Sequence, residues 1–561
     1  MIYALLSLIL YNFEYPIDAD NFMMVKCGEE IVRTAGFPLY DSFCWPPLQC
    51  KVPWLNNEWL SYVAVYLLHS WGGFLWVTLY KTIIYGLSYG IIFWYVRKKK
   101  GALPAACAVI IALYLGRWFV APRAMMHTAL FFPLLAVLLL RLEERGIRRI
   151  DFLYFPALFL IWTFFHPGSF IGILFMGMAI ALIGAVLIRK DRSREAAGTV
   201  LRMVALWALS FAVMFLAPFG ARSFSFVVSI FADAFHVTES SHVIPEFSSP
   251  LQRVRFNIHY FIITGSALLA FIICAVRYKV KPTPVEQFLF FFWLLASLKA
   301  VRNMQLLSTC SIPLFAFFFF HLFRALDGQL QAKKKSTLWS RSRLVPAVLK
   351  LAALTAVLAT FIPRIAGTDP TGHSLEQGLF PVNLKNFLSG NSLPPDIYCE
   401  ELAGDYLTYH LAPRYKVSAD GRLDLILTRD YLNELYRSYA NPDALRSFIE
   451  KYGLDTIIMH PRYNFLERDP AWLKIYEGDG LFIYLRKCGR NRELMERFTD
   501  DTLIYPDSAD TCLFLYVAHI KMKHYETARK YLVRLIISDP KEQVLRDQLK
   551  LLDKKIKKEK S

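Results

Sequence analysis

Six carboxylates stand close together near the start of this 561-residue chain: Asp18, Asp20, Glu29, Glu30, Asp41 and Glu58. Their stretch, IDADNFMMVKCGEEIVRTAGFPLYDSFCWPPLQCKVPWLNNEW over 17–59, reads as a polar, turn-rich loop with little cationic compensation. Cations gather elsewhere, at the ends of apolar segments: Arg117, Arg123, Lys299 and Arg302, with His127 and His166 nearby. Carboxylates opposed by cations at a membrane surface suit phosphate-lipid chemistry. Guanidinium forks match phosphate oxygens in pairs. A carboxylate can take the proton of an attacking hydroxyl, while cations stabilise the departing phosphate. Asp20 is the first candidate for that base and Glu58 the second. Arg123, Arg302 and Lys299 are the candidate phosphate holders, with Asp18, His127 and His166 beside them. One charge at a helix end usually snorkels to the interface, and one loop Asp usually makes a turn or a cap. The group as a whole is what points to chemistry.

The elements that must position these residues are membrane helices. The chain is 55% hydrophobic and 15% aromatic, with mean hydropathy +0.34, above the 45–50% apolar content of ordinary soluble domains. A spanning helix needs about 20 apolar residues. Such runs occur at about 74–96, 102–119, 125–140, 152–165, 169–188, 203–219, 257–276, 285–299, 303–323 and 344–362. Residues 1–13 are apolar but short and read as a truncated first span, giving about eleven in all. Residues 59–71 are amphipathic, end at Gly72-Gly73, and predict an interfacial helix.

Charge sets the orientation. The loops Arg97–Lys100, Arg141–Arg149, Arg189–Arg202, Arg277–Lys281 and Arg324–Arg343 are rich in Lys and Arg, and alternate counting puts them on one side. By the positive-inside rule that side is cytoplasmic. The acidic loop and its opposing cations then share the outer face, as does everything after Pro363. The net charge of +18 is explained by these loops, and nucleic acid is not implied. Nine cysteines occur without a CxxC pair. A disulfide among Cys27, Cys44 and Cys50 stays open alongside free thiols.

After 363 the composition turns mixed. β-like runs at 455–460 and 481–487 alternate with helical patterns such as 444–453, predicting a small α/β domain. Pro506 and Pro540 lie 34 residues apart, a tetratricopeptide period, and a Lys-rich helix follows at 541–558. The expected fold is thus mostly α: a polytopic helix bundle over 1–363, its acidic outer loop and interfacial helices at 14–73. An extracytoplasmic α/β domain over 364–488 and a tetratricopeptide-like tail over 489–561 complete it. G-x-G-x-x-G, Walker A and H-E-x-x-H patterns are all lacking, so nucleotide and zinc-hydrolase mechanisms gain no motif.

A family resemblance rests on ordered short motifs. They are Asp20, Phe22 and Gly28; Gly36, Pro38, Asp41, Phe43 and Trp45; then Trp54, Asn56, Asn57, Glu58, Trp59 and Leu60. Ala121-Pro122-Arg123, His166-Pro167-Gly168 and Arg302-Asn303 follow. In the C-terminal part come Gly404-Asp405-Tyr406, Asp420-Gly421-Arg422-Leu423-Asp424 and Tyr452-Gly453-Leu454-Asp455. Over about 1–487 the chain resembles the C-superfamily integral-membrane glycosyltransferases, especially the bacterial group related to protein mannosyltransferases. It departs from their pattern at Asn57, where they carry His, and at Met23, where they carry a second aromatic residue. The resemblance implies a multi-pass protein of the bacterial cytoplasmic membrane. It would transfer a sugar from a polyprenyl-phosphate donor to a glycan, lipid or protein acceptor on the outer face. Some relatives use a divalent metal and others do not. Two other classes stay in view: a lipid-linked-sugar transporter, and an envelope scaffold whose tail binds a protein partner. Convergence of Asp20 and Glu58 with Arg123 and Arg302 on one crevice is the discriminating observation.

Overall fold

The computed structural model describes residues 18–46, 52–117, 120–233, 248–255, 257–332, 380–463, 465–539 and 542–560. The expected spans over 1–13 and 344–362 lie outside the described residues.

The acidic stretch is more ordered than a turn-rich loop. Asp18 opens a helix, α1 (Ala19–Thr34), by a reciprocal cap. Its carboxylate accepts from the Asp20 N–H at 3.2 Å, and the Asn21 side chain accepts from the Asp18 N–H at 2.9 Å. Phe22, Met23, Met24, Val25, Cys27 and Ile31 are buried along it. The helix stops where Ala35 turns left-handed, at φ 48°.

The next helix, α2 (Trp59–Lys100), is broken at Gly72 and Gly73, the latter at φ +65°. Only glycine takes that conformation cheaply, so the 59–71 arm and the 74–100 arm are separate segments. There follow α3 (Ala102–Gly116), α4 (Met125–Arg145), α5 (Asp151–Phe165), α6 (Gly168–Lys190), α7 (Arg194–Met214), α8 (Gly220–Asp233), α9 (Ile258–Val276), α10 (Pro284–Lys299), α11 (Met304–Cys310) and α12 (Ile312–Ala332). Among the described residues α2, α4, α6, α7 and α9 are long and apolar enough to cross a membrane. The pair Val301–Cys310 and Ile312–Ala325, bent by 50°, adds a sixth if it is one broken span, while α3 and α5 are shorter apolar helices. Short basic connections are pinned by charge. Arg145 grips the fully buried Asp151 through two bonds of 2.6 and 3.0 Å, closing the α4–α5 turn.

The chain divides into two compact units. One holds the described residues of Met1–Ala35 and Leu55–Gly372; the other holds those of Gly36–Trp54 and His373–Ser561. In the second unit, α13 (Val382–Gly390), β1 (Asp396–Tyr398), α14 (Glu401–Leu411), β2 (Lys416–Val417), α15 (Arg429–Ala440), α16 (Pro442–Tyr452), β3 (Thr456–Met459), β4 (Trp472–Gly478) and β5 (Leu481–Arg486) build an α/β layer. The sheet order is β2-β1-β3-β5-β4, parallel in its first two pairings and antiparallel in the last two. Four further helices follow: α17 (Arg492–Thr499), α18 (Ala509–Lys521), α19 (Tyr525–Ser538) and α20 (Gln543–Lys560). Besides meeting α19, α18 is tied to β4, where the Thr511 hydroxyl donates to the Glu477 carbonyl at 3.0 Å.

The described residues of Gly36–Trp54 are an integral part of this second unit. The Val417 N–H donates to the Phe43 carbonyl at 3.1 Å, and the Trp45 indole donates to the Ile397 carbonyl at 3.1 Å. At its centre Arg422, fully buried, lies between Asp41 and Asp420. Asp41 also accepts from the N–H groups of Phe43 and Cys44, at 3.1 and 2.6 Å. Two of the sequence motifs therefore meet in a buried ion cluster, and Asp41 is engaged there rather than at a crevice between helix ends. Cys27 and Cys44 are free thiols.

Candidate functional site

At one end of the helical unit, the starts of α1, α2, α4 and α6 come together with the end of α5. The Asp18 cap fixes where α1 begins, and Asn21, fully buried, donates to the Pro122 carbonyl at 2.6 Å. That tie brings Arg123 against the first turn of α1. Its Nη2 lies 3.1 Å from Asp18 and its Nε 3.1 Å from Asp20. Spacing alone suggests that Asp18 and Asp20 point apart, since residues two apart are about 200° apart on a helix. They converge instead because Asp18 is the cap, with extended backbone at φ −121°. The three side chains keep 22–33% exposure, so the cluster is open to solvent.

Glu58 caps the start of α2, 16% exposed, with both oxygens engaged. The Tyr62 hydroxyl donates to Oε2 at 3.1 Å. His166 Nε2 lies 3.2 Å from Oε1. The role of that imidazole follows from its other nitrogen. Nδ1 accepts from the Gly168 N–H at 2.9 Å and lies 2.9 Å from the Thr128 hydroxyl, which itself accepts from the Trp162 indole. A neutral His166 thus carries its proton on Nε2 and donates it to Glu58. Burial, with Arg302 and His127 adding repulsion, lowers the imidazole to about 3. The contact is therefore a neutral donor on a carboxylate, not an ion pair. Burial, with Asp20 adding repulsion, pushes Glu58 up to about 7, against the pull of the Tyr62 hydroxyl and Arg302.

The remaining candidates divide. Arg302 belongs to the cluster through its charge on Glu58 and His166, and its Nη2 lies 3.5 Å from the Met125 sulfur. His127 is 1% exposed with both nitrogens bonded, Nδ1 to Ser61 and the Ala124 carbonyl, Nε2 to the Tyr80 hydroxyl at 2.8 Å. It ties α2 to α4. Lys299 is exposed on the last turn of α10, where it complements the negative helix end. One residue escapes a reading by helix ends: Lys81, fully buried inside α2 and within electrostatic reach of Asp18. It is the one Asp, Glu, Lys or Arg in 59–96, and a lone ionisable group inside a span is itself a signal.

Among the described residues no group of three or more His, Cys, Asp or Glu side chains is placed to hold a metal ion. The Arg123 guanidinium lies against both Asp18 and Asp20.

No family model matches the sequence, and no curated protein matches it. Solved structures do. The archaeal oligosaccharyltransferase AglB from Archaeoglobus fulgidus, in complex with an inhibitory peptide and a dolichol-phosphate, aligns with TM-score 0.50 at 12% identity. The match covers 87% of this chain and 73% of that one. ArnT from Cupriavidus metallidurans, bound to undecaprenyl phosphate, aligns with TM-score 0.47 at 10% identity over 86% of this chain and 96% of that one. The chain thus shares its fold with this archaeal oligosaccharyltransferase.

Proposed function

We propose that the protein is a membrane glycosyltransferase that moves a sugar from a polyprenyl-phosphate-linked donor to an acceptor hydroxyl on the outer face of the cytoplasmic membrane. The observation that carries this reading is the convergence, at one end of the helical unit, of Glu58 and His166 with Asp18, Asp20, Arg123 and Arg302. In this reading Arg123 and Arg302 hold the donor phosphate. As the acceptor oxygen attacks the anomeric carbon, its proton passes to Glu58. The bond from the anomeric carbon to the phosphate oxygen breaks, and polyprenyl phosphate leaves with the electron pair beside the two guanidinium groups. His166 orients Glu58 and, being neutral, does not compete for the proton. Asp20 and Asp18 hold the Arg123 guanidinium, so Glu58 takes the base role for which the sequence placed Asp20 first. The dolichol-phosphate in the AglB structure is consistent with a donor of this class. The positive-inside pattern supports the outer face as the site of transfer.

The direct test is purified protein with a panel of radiolabelled polyprenyl-phosphate sugars. Label is expected to pass to an acceptor fraction from at least one donor, and bare polyprenyl phosphate is expected to accumulate. Retention of label on every donor overturns the proposal.

A further inference from the structure

Helix α18 is apolar on two faces. One, with Phe514 and Leu515, is buried in the second unit. The other carries Leu513 and Val517, 49% and 41% exposed, which stand four residues apart and so share one side of the helix. Helix α20 repeats the pattern. It buries Leu552 and Ile556, while Val544 and Leu551, seven residues apart, are 61% and 55% exposed on a different side. The two exposed sides adjoin. The Tyr516 hydroxyl, between Leu513 and Val517 in the chain, reaches the Gln548 amide oxygen, between Val544 and Leu551, at 3.5 Å. Helix α19 runs antiparallel to both neighbours: Arg534 near its end lies 3.7 Å from Asp507, just before α18, and Arg529 near its start lies 2.7 Å from Asp553 of α20. Helices α18 and α20 are therefore parallel to each other. Among the described residues no helix of this unit is long and apolar enough to cross a membrane, so lipid tails do not account for the patch. A contiguous apolar surface on a water-facing unit marks an interaction site.

Charge says what covers it. At the N-terminal end of the two parallel helices stand Asp510 and Glu542, both exposed. At the C-terminal end stand Lys521 and Lys554, also exposed. On α18 the order Asp510, Val517, Lys521 steps by seven and four, and on α20 Leu551 and Lys554 stand three apart, so the charges flank the apolar patch itself. The patch is thus acidic at one end, apolar in the middle and basic at the other. An anionic membrane surface or a polyanion matches the basic end and is repelled by the acidic one. A second copy of the same face, turned by half a turn, matches throughout: acid meets base at both ends and the apolar centres meet each other. We infer that this face receives a second copy of the chain, forming a two-fold dimer through α18 and α20. The inference does not depend on the transfer reaction.

The test is the mass of the full-length protein in phosphatidylcholine nanodiscs, measured by light scattering. Wild type is expected at two chains per particle. Val517→Glu combined with Leu551→Glu is expected at one, with an unchanged thermal midpoint because both side chains are exposed. Charge reversal separates this face from any other. A chain carrying Asp510→Lys and Glu542→Lys has two basic ends, and one carrying Lys521→Glu and Lys554→Glu gains acid at both. Each is expected to self-associate at least about tenfold more weakly than wild type, since like charges then meet. Mixed together, the two are expected to pair with each other, and a chain with all four reversals is expected to dimerise as wild type does. A single-chain wild type overturns the inference. So does a dimer that survives the two glutamates, which would lie elsewhere, a clear drop in their midpoint, or failure of the two reversed chains to pair. Cleavage by trypsin after Lys554 is expected to be alike in phosphatidylcholine and phosphatidylglycerol nanodiscs. Protection confined to the anionic lipid, with one chain per particle, would give the face to a membrane surface and also overturn it.

Discussion

Glu58→Gln is expected to reduce sugar transfer by about 10²–10⁴-fold, the usual worth of general-base assistance, while leaving donor binding near normal. The substitution keeps the shape, and its one amide oxygen can still accept from His166 while its NH2 donates to the Tyr62 hydroxyl, but it cannot take a proton. The wild-type pH profile should report the same group. Burial raises Glu58 to about 7. A base acts in its deprotonated form, so transfer is expected to rise about tenfold per unit up to pH 7 and to level off above it. His166, lowered to about 3, stays neutral across that range and adds no second limb. The residual activity of Glu58→Gln should lack the rise altogether. A flat wild-type profile between pH 5 and 8, or near wild-type transfer by Glu58→Gln, would return the base role to Asp20.

Arg422→Met should be the most damaging change to the second unit. It removes the one cation between two buried carboxylates, Asp41 and Asp420, each with a fully buried side chain. Breaking a buried pair from one side leaves uncompensated charge and typically costs about 3–5 kcal/mol. The expected readout is a large fall in the thermal midpoint of the full-length protein. Adding Asp41→Asn to Arg422→Met is expected to recover part of it, because the amide oxygen can still accept from the Phe43 and Cys44 N–H groups. A midpoint unchanged by Arg422→Met would mean that water reaches the cluster and that the packing described for it is wrong.

The candidate cluster was legible in the sequence where charge is rare. Asp18, Asp20, Glu58, Arg123, His166 and Arg302 stand out against apolar surroundings, and all six belong to the cluster. What could not be read is the set of contacts that brings them together. Asn21 reaches the Pro122 carbonyl across 101 positions, and no local pattern contains that bond. Helix α1 was hidden for a similar reason. Its apolar residues Phe22 to Val25 run consecutively and Gly28 interrupts it, so neither period nor propensity favours a helix. Packing decides. A side chain at Gly28 would lie 2.2 Å from the Tyr62 carbonyl oxygen, so glycine is what lets α1 lie directly on α2. The α/β strands were visible as short apolar runs because β3 is buried at every residue. The membership of Gly36–Trp54 in that same unit was not, because its partners come after all the apolar helices.

That separation has a consequence in time. Asp41 leaves the ribosome 381 residues before Arg422. At about 5–20 residues per second, roughly 20–75 s of synthesis pass before its partner exists. During that interval the nascent segment carries Asp41, Phe43 and Trp45 with nothing to pack against, while the helices encoded between are inserted. Completion of the second unit is thereby made conditional on synthesis of the first: a chain arrested among its helices never supplies Arg422. A fragment starting at residue 380 would likewise fold around a missing Trp45 and a half-paired cation, and only supplying 36–54 in trans would complete it.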